Sequence, residues 1–384
     1  MKPDERKPKR RPKREPKREP TANRRQFLKG AATVGITVLA QHLLGSQAMR
    51  AQAAGTKATP EPPGTPSATL AEGLDFYVYL PFVSKPERLD HGPSKLGLHT
   101  LRPNNAAGFV QGVQEAGAHV ALVKALDNFG YLRLVKESSP ETITIGRWNG
   151  APWVDPSGDP AAKASKIMGK HMPHWDYEKD VVDYWEVLNE NDPPTVEGHV
   201  WLAQFFSEAM TIAEENGYKL ALFSYSVGVP QWHEWEAIVE TGVFARAGQG
   251  GHALALHEYN WPVMSSGWGY PLEDQPAYPD RGVLTGRYRH LYRDFLIPRD
   301  EVIPLALTEC GLDPLLRQPG QPTTWKERYV EEMAWYDTRL REDDYVIGAA
   351  MFTIGSGGIE PWTDYDYEEL LPDFHDTIVS LKDA

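Results

Sequence analysis

Two glutamates, Glu190 and Glu309, each close an apolar run that is typical of a buried strand. The first run is Tyr184–Glu190, in which Asn189 precedes the glutamate. Two prolines follow soon after and stop the strand, because proline cannot donate to a sheet ladder. The second run is Ile303–Glu309. Two carboxyl groups facing one pocket are what glycosidic bond cleavage requires, since one must carry a proton while the other is ionised.

These runs are the fourth and the seventh of eight strand-like runs. The predicted strands are Leu96–His99, His119–Leu126, Thr142–Trp148, Tyr184–Glu190, Leu220–Tyr225, Ala253–Glu258, Ile303–Glu309 and Ile347–Thr353. Continuous apolar strands are expected where helices cover a parallel sheet, and eight strand–helix units in about 290 residues match the size of a (β/α)8 barrel. We therefore predict an α/β fold, a single (β/α)8 TIM barrel. An open doubly wound sheet is the alternative, but the turn after the first strand lacks the glycines of a nucleotide site.

Helix-like segments separate these strands, with two long exceptions. The predicted helices are Asn105–Ala116, Phe129–Glu137, Gly198–Asn216, Trp232–Ala247, Trp325–Leu340 and Phe374–Lys382. A long loop punctuated by the turn residues 155–160 is predicted after the third strand, and a long irregular segment, 260–299, after the sixth. Both are expected to shape the binding site.

The predicted strand tips are polar or aromatic, although the strand bodies are apolar. In a barrel of this kind, chemistry gathers at the C-terminal ends of the strands. The candidate site residues at or just beyond these ends are His99, Lys124, Trp148, Asn189, Glu190, Tyr225, His257, Glu258, Tyr259, Trp261 and Glu309. Glu258 could bind substrate or be held in a salt bridge. Five tryptophans fall in these loops, and some of them should stack on sugar. They are Trp148, Trp153, Trp175, Trp261 and Trp268.

At these residues the chain resembles the clan A glycoside hydrolases, the retaining barrel enzymes that include cellulases, mannanases and xylanases. The resemblance covers Lys95 to Ala384 and rests on Asn189-Glu190, on Thr308-Glu309 and on His257-Glu258-Tyr259. It implies that Glu190 is the general acid/base and Glu309 the nucleophile. It further implies that Asn189 binds the sugar 2-hydroxyl and that His257 or Tyr259 holds the nucleophile.

The chain departs from this pattern at two strands. Many clan members carry an Arg at the end of strand two, but in this chain the nearest cation is Lys124. They also carry a Trp on strand eight, and here Phe352 or Trp362 would have to take its place. The first departure favours an alternative, a catalytically inactive barrel that binds glycans. A metal-dependent hydrolase that uses His99, His257 and one histidine of the His171-x-x-His174 pair is a third possibility. We expect neither a metal nor another cofactor.

Two further residues have simpler interpretations. Strand alternation places Glu186 on the same side as Glu190 but deeper in the barrel, where a paired core charge is the favoured role. Cys310 follows Glu309 and is therefore expected to point into the opposite layer as a packing residue. It is the one cysteine in the chain, which rules out an intrachain disulfide framework.

Charge is distributed unevenly along the chain. Residues 1–54 hold 14 Lys+Arg and 4 Asp+Glu, a net charge of +10, so the whole-chain value of −13 leaves −23 for the remainder. An acidic body argues against a nucleic-acid partner, because phosphate contacts need Lys and Arg. It suits a neutral ligand, and 12 Trp and 17 Tyr offer flat surfaces to bind a carbohydrate.

The N-terminal region is predicted to direct export of the protein rather than to form part of the folded barrel. Residues 1–54 form a disordered basic tail and a segment that resembles a twin-arginine signal peptide, with the motif Arg24-Arg25-Gln26-Phe27-Leu28-Lys29 and a cleavage site at Ala51-Gln52-Ala53. Residues 55–90 are a linker and strap, and residues 91–384 the barrel. The resemblance implies the twin-arginine export machinery as partner and a secreted or cell-surface location. Membrane contact would occur only through an uncleaved signal segment.

Overall fold

The computed structural model describes residues 92–150, 153–314, 325–359 and 361–383. The export signal, linker and strap lie outside these residues, so their assignments stay predictions. Within the described part, no helix is both long and apolar enough to cross a membrane.

Eight parallel strands form one closed barrel in chain order, each paired with the next and the eighth with the first. The strands are β1 Leu96–Thr100, β2 Leu122–Leu126, β3 Ile143–Arg147, β4 Tyr184–Glu186, β5 Leu220–Tyr225, β6 Ala253–Asn260, β7 Leu305–Leu312 and β8 Val346–Ile354. The helices are α1 Ala106–Glu115, α2 Leu132–Ser138, α3 Pro160–His171, α4 Val196–Glu215, α5 Trp232–Val239, α6 Val243–Gly250, α7 Tyr288–Leu291, α8 Ile297–Arg299, α9 Trp325–Leu340 and α10 Leu371–Val379. A π-helical turn, Tyr292–Leu296, joins α7 to α8. The predicted (β/α)8 barrel is confirmed.

The lower barrel interior is filled by a layer of small and branched side chains. Its members come from six strands and are Leu122, Ile145, Ala221, Ala255, Ala306 and Ala350. A much larger apolar cluster lies between the strands and the surrounding helices. Because the lower interior is plugged by apolar side chains, polar residues that face inward must lie above this layer, toward the C-terminal strand ends.

The predicted loop after β3 contains a helix, α3, that the sequence interpretation missed. Asp159 caps this helix by accepting hydrogen bonds from the N–H groups of Ala161 and Ala162, and Pro160 occupies its first turn. Asp, Ser, Gly and Pro are typical both of turns and of helix starts, and here the Asp-Pro pair marks a helix start.

The largest boundary differences from the prediction are at β4 and at the helix predicted over Trp232–Ala247. β4 ends at Glu186, four residues before the predicted tip, because the chain leaves the ladder there. The predicted helix Trp232–Ala247 is two helices. Gly242, which adopts a left-handed conformation with φ of 75°, separates α5 from α6. Glycine reaches this conformation without the steric penalty that other residues incur.

Candidate active site

A bulge in β7 turns Glu309 into the barrel. Ala306 lies in the interior layer, so strict alternation would send the residue three positions later to the outside. The register with β6 pairs Leu256 with Leu307 but His257 with Glu309, so that Thr308 is an extra residue. The bulge reverses the alternation and directs Glu309 inward. The next residue, the buried Cys310, packs in the outer apolar cluster, as expected.

Glu190 reaches the same opening by a different backbone route. It lies beyond the last residue of β4 and has a φ of 48°, an uncommon value for a residue other than glycine. Its N–H donates to the carbonyl oxygen of Ser224 at 2.9 Å, which ties the displaced tip to β5. Asp192 continues this attachment by accepting hydrogen bonds from the N–H (3.2 Å) and hydroxyl of Ser226. The tip is therefore held by its neighbour strand after its own strand has ended.

The two carboxyl groups face each other around one histidine. An oxygen of Glu190, an oxygen of Glu309 and a ring nitrogen of His257 all lie within 4.8 Å of one another. His257 Nδ1 is 3.1 Å from Glu190 Oε1 and 3.7 Å from Glu309 Oε2. The Glu190 side chain is 25% exposed, whereas that of Glu309 is 8% exposed. Glu190 is thus the more accessible of the two.

Glu309 is surrounded by positive and donor groups. Lys124 Nζ and Arg147 Nη1 approach Oε1 at 3.3 and 3.2 Å, and the Tyr259 hydroxyl donates to Oε2 at 3.2 Å. Burial alone would raise the pKa of Glu309. Its neighbours His257, Lys124, Arg147 and His99 together outweigh burial and hold this pKa well below its ordinary value. Glu309 is therefore an ionised carboxylate at neutral pH.

Glu186 forms the floor beneath this group. It is fully buried, and its Oε2 lies 2.7 Å from Lys124 Nζ while its Oε1 accepts a hydrogen bond from Ser224 Oγ at 2.9 Å. Burial opposes ionisation, but the charges of Lys124 and Arg147 lower the pKa of Glu186 overall. The expected paired core charge is found, and it shares its cation with Glu309.

His99 is a neutral member of the same cluster. It is fully buried, and burial together with the nearby Lys124 lowers the pKa of its imidazole well below the ordinary value. Its Nδ1 lies 3.0 Å from Thr353 Oγ1, and its Nε2 lies 3.7 Å from Glu309 Oε1. The placement expected for His99 and Lys124 at the strand tips is thus observed.

An aromatic wall adjoins Glu309 on the β8 side. Phe352 ends the inner face of β8, 4.6 Å from the ring of His99 and 5.2 Å from that of Trp362 by ring centroids. Tyr365 completes the wall, 5.6 Å from Phe352 and 6.3 Å from Tyr259. Of the two residues considered for the strand-eight position, Phe352 lies on the strand and Trp362 packs edge-on against it. Tyr365 was missed because it lies on the 3-10 turn Trp362–Tyr365 after β8, where no strand-end signal marks it.

Arg147 stands at the third predicted strand tip, but the sequence interpretation gave it no role in the site. It comes from the end of β3 and is almost fully buried against Glu309. The resemblance directed attention to an arginine on strand two, where this chain has Lys124. A signal was present, since Arg147 stands at the predicted third strand tip beside an apolar run.

Tyr225 lies outside the barrel interior, contrary to expectation. Residues Phe223 and Ser224 have φ values of 72° and 48°, and the register between β5 and β6 shifts at this point. The bulge turns Ser224 inward and Tyr225 outward. The Tyr225 hydroxyl lies 2.8 Å from His199 Nδ1, and its ring stacks on Phe223 in the outer layer.

Glu258 also lies outside the interior, because strand alternation places it opposite its inward-facing neighbours. Burial raises its pKa to about 7, although several donated hydrogen bonds oppose this shift. Its two oxygens accept hydrogen bonds from the N–H groups of Gly286, Arg287 and Tyr288 and from the Tyr336 hydroxyl. These hydrogen bonds, rather than the salt bridge considered above, hold Glu258, and through them it anchors the segment after β6.

The remaining predicted binding residues have mixed placements. Trp148 is half-buried: its ring stacks on His174 at 4.0 Å between ring centroids, Gly150 packs against it, and it lines a pocket together with Asp127 and Phe129. Trp261 is 42% exposed just after β6. Asn189 precedes Glu190 and has a buried Oδ1 without a hydrogen-bond partner among the described residues. That oxygen is an acceptor available to a ligand hydroxyl.

The triad Glu190, His257 and Glu309 also offers the ligand types that a metal ion uses. Among the described residues, these three are the ones whose ligand atoms all lie within 4.8 Å of one another. His99, His171 and His174 do not belong to this group. Lys124 and Arg147 both approach Glu309 and compete with any cation for its oxygens. The set proposed for a metal-dependent hydrolase is therefore not assembled.

Comparisons with known proteins find similarity among solved structures. No protein family profile and no curated protein matches the chain. Among solved structures it is similar to ZgEngAGH5_4 in complex with a cellotriose (13% identity, 74% of this chain and 96% of that chain, TM-score 0.45). It is similar also to a Bacteroides ovatus GH5 xyloglucanase in complex with a XXXG heptasaccharide (10%, 76% and 75%, 0.43). A third is MGS-M4, an aldo-keto reductase from a deep-sea metagenome library (13%, 74% and 90%, 0.35). The similarity is one of barrel architecture, so function has to be argued from the site.

Proposed function

We propose that this chain is a retaining glycoside hydrolase that cleaves β-linked glycosides or polysaccharides by double displacement. The observation that carries the proposal is the pairing of Glu190 and Glu309, with an oxygen of each within 4.8 Å at the C-terminal end of the barrel. Retaining enzymes hold their two carboxyl groups about 5–5.5 Å apart, whereas inverting enzymes leave about 6.5–9.5 Å for a water molecule. An oxygen pair within 4.8 Å is compatible with the closer, retaining spacing.

The contacts of the two buried cations support the assignment of nucleophile and general acid. Lys124 and Arg147 carry two positive charges, which Glu186 and Glu309 neutralise. Glu190 contacts neither cation in the described structure and has His257 as its polar partner. Glu309, which both cations contact, is the carboxyl held ionised as a nucleophile requires, and Glu190, which contacts neither, is the carboxyl that serves as general acid.

The chemistry then proceeds in two displacements. Glu309 attacks the anomeric carbon while Glu190 gives its proton to the leaving oxygen, so the glycosidic bond breaks and a glycosyl–enzyme ester forms. Glu190, now ionised, removes a proton from water, which attacks the same carbon and releases Glu309. In this proposal Asn189 binds the sugar 2-hydroxyl, as the resemblance implies, and Tyr259 and His257 orient the carboxylates through their contacts with Glu309 and Glu190.

A catalytically inactive glycan-binding barrel is the second candidate. Its support was the missing strand-two arginine, and Arg147 from β3 now supplies a guanidinium at the same carboxylate. The two candidates separate in one assay of the purified protein on soluble β-1,4-linked glucan, mannan and xylan in the presence of a chelator. Release of reducing ends supports the hydrolase, whereas binding of a polysaccharide without release supports the binding protein.

Two tyrosines give a matched test of which strand tips serve the reaction. Tyr259→Phe removes the hydroxyl that donates to Glu309 and is expected to lower kcat by about 10-fold to 100-fold, since a hydrogen bond to a charged group is worth about 1.5–3 kcal/mol. Tyr225→Phe removes a hydroxyl bonded to His199 in the outer layer. It should leave kcat within about twofold and lower the free energy of unfolding by about 1 kcal/mol. Equal kcat losses in both variants would contradict the assignment.

A further inference from the structure

The general acid of the proposed reaction lies on a segment that has left the barrel ladder. β4 ends at Glu186, so Glu190 stands beyond the last paired residue of its own strand. Glu190 also has a φ of 48°. A left-handed conformation is uncommon for a residue with a long side chain, and it persists only where surrounding contacts hold it. The direction of this carboxyl group therefore depends on the contacts that its neighbours make.

The segment is tied to the tip of β5 by one main-chain bond and one side chain. The Glu190 N–H donates to the carbonyl oxygen of Ser224 at 2.9 Å. Two residues later in both segments, the Asp192 carboxylate accepts hydrogen bonds from the Ser226 N–H, at 3.2 Å, and from the Ser226 hydroxyl. The main-chain bond holds Glu190 itself, and the carboxylate holds the chain that follows it.

These ties continue the register in which β4 pairs with β5. The Trp185 N–H, within β4, donates to the carbonyl oxygen of Lys219, and the Glu190 bond likewise spans 34 positions of the chain. In a parallel ladder, the next bond would run from the Ser226 N–H to the carbonyl oxygen of Glu190. That N–H donates to the Asp192 carboxylate instead. Asp192 therefore takes the place of the Glu190 carbonyl, which the left-handed turn directs out of the ladder.

The other side of the segment is anchored by Asn191. Its side chain accepts a hydrogen bond from the Val154 N–H at 2.6 Å and donates one to the Val154 carbonyl oxygen at 2.9 Å. Asp192 supplies the anchor on the side of β5, which is also the side of β6 and His257. His257 Nδ1 lies 3.1 Å from the Glu190 carboxyl group. Without the Asp192 anchor, the segment would be held only from the β3 side, away from His257.

We propose that Asp192 is a positioning residue for the general acid. By replacing the Glu190 carbonyl in the ladder, it lets Glu190 adopt the left-handed conformation that directs its carboxyl group at the leaving oxygen. This inference rests on the proposed hydrolase function and adds to it a residue on which proton donation depends. The loss of Asp192 should therefore impair the cleavage of bonds that need a proton and spare the attack of Glu309.

The test compares Asp192→Ala with two matched variants on substrates that differ in their need for a proton. Asp192→Asn keeps an oxygen that can accept from the Ser226 N–H. Asp183→Ala removes a carboxylate that accepts from the Thr144 N–H at 2.8 Å, at the opposite, N-terminal end of β4. The sugar leaving group of an oligosaccharide needs a proton as the bond breaks, whereas the 2,4-dinitrophenolate of an aryl β-glycoside leaves without one.

Asp192→Ala is expected to lose about 10-fold to 100-fold in kcat/KM on the oligosaccharide, a part of the roughly 10²-fold to 10⁴-fold that general acid catalysis supplies. On the dinitrophenyl glycoside of the same sugar it should stay within about threefold of the wild type. Asp192→Asn and Asp183→Ala should stay within about threefold on both substrates. Equal losses of Asp192→Ala on both substrates, as a general structural defect would produce, overturn the proposal. A loss in Asp192→Asn as large as that in Asp192→Ala also overturns it.

A crystal structure of Asp192→Ala tests the positioning without turnover. Glu190 is expected to leave its left-handed conformation, and its carboxyl group is expected to lose the 3.1 Å contact with His257. A variant in which Glu190 keeps both features overturns the proposal. If the wild type cleaves no glycoside and the variant shows a displaced Glu190, the hydrolase function fails alone and the dependence of Glu190 on Asp192 stands.

Discussion

Replacing Glu309 by Gln is expected to lower kcat by roughly 10⁴-fold or more while leaving sugar binding measurable. An amide cannot form the glycosyl ester, and removal of a catalytic nucleophile costs enzymes about 10⁴-fold to 10⁶-fold in kcat. Gln has the same shape and keeps an oxygen that can accept the hydrogen bond from Tyr259. The variant is assayed for reducing-end release and, in parallel, for binding of the same polysaccharide.

The matched control for this variant is Asp127→Asn. Asp127 is an exposed carboxylate at the tip of β2, where it accepts a hydrogen bond from the N–H of Asn149 at 2.6 Å, a bond that Asn can also accept. This control should keep kcat within about twofold, because Asp127 does not belong to the inner cluster. If Glu309→Gln retained more than about one hundredth of the wild-type kcat, Glu309 would not be the nucleophile.

Replacing Lys124 by Met is expected to impair both folding stability and activity. Lys124 is fully buried and lies between Glu186 and Glu309, at 2.7 and 3.3 Å. Removing one member of a buried ion cluster leaves uncompensated charge and typically costs about 3–5 kcal/mol, which urea unfolding would measure. Arg147 alone would then face two buried carboxylates.

The same substitution should move the pH dependence in a defined direction. Lys124 is one of the charges that lower the pKa of Glu309, so its loss raises that pKa. The nucleophile must be ionised, and the acidic limb of kcat/KM against pH reports its ionisation in the free enzyme. We therefore expect this limb to shift to higher pH in Lys124→Met. An unchanged or lower position of the limb would contradict the role assigned to Lys124.

The double variant Lys124→Met/Glu186→Gln separates charge balance from packing. Removing the Glu186 charge together with its cation leaves Arg147 opposite Glu309, a balanced pair. The double variant should unfold at a higher urea concentration than Lys124→Met alone, which gives a favourable coupling energy between the two positions. A double variant that is as unstable as the sum of the single changes would show that the Lys124–Glu186 pair does not act as a unit.

Most of the fold could be predicted from the sequence because parallel barrels use long apolar strands. Six of the eight predicted strands differ from the observed ones by at most three residues at either end, and β5 agrees at both ends. The fourth predicted strand is too long because Val187 and Leu188 continue the apolar pattern after the strand's hydrogen bonds have ended. Such ends depend on hydrogen bonds to the next strand, in this case from Glu190 to Ser224, which composition does not reveal.

Strand alternation predicts the placement of site residues only where it is regular, whereas Glu309, which a bulge turns inward, was predicted from its position at a strand end. His257 and Tyr259 alternate regularly on β6 and lie inside as expected, with Glu258 outside between them. Tyr225 was misplaced because a bulge at Phe223 and Ser224 reverses the alternation just before it. A bulge adds one residue without a distinctive sequence, so the reversal is visible only in the register of the paired strands.

The electrostatic partners of Glu309 required the three-dimensional arrangement. Arg147 and Lys124 come from different strands, 23 positions apart, and meet at one carboxylate oxygen because neighbouring parallel strands bring their tips together. The sequence shows a cation at each tip but not that both share one partner. This shared contact replaces the strand-two arginine of the clan A pattern with a lysine and an arginine from adjacent strands.

The configuration of the first product tests the proposed mechanism most directly. Proton NMR during cleavage of a β-linked oligosaccharide distinguishes the newly formed α and β anomers before they interconvert. Double displacement at Glu309 with proton transfer by Glu190 predicts that the β anomer appears first and the α anomer only later by mutarotation. An α anomer that appears first would mean direct attack by water, and it would contradict Glu309 as the nucleophile.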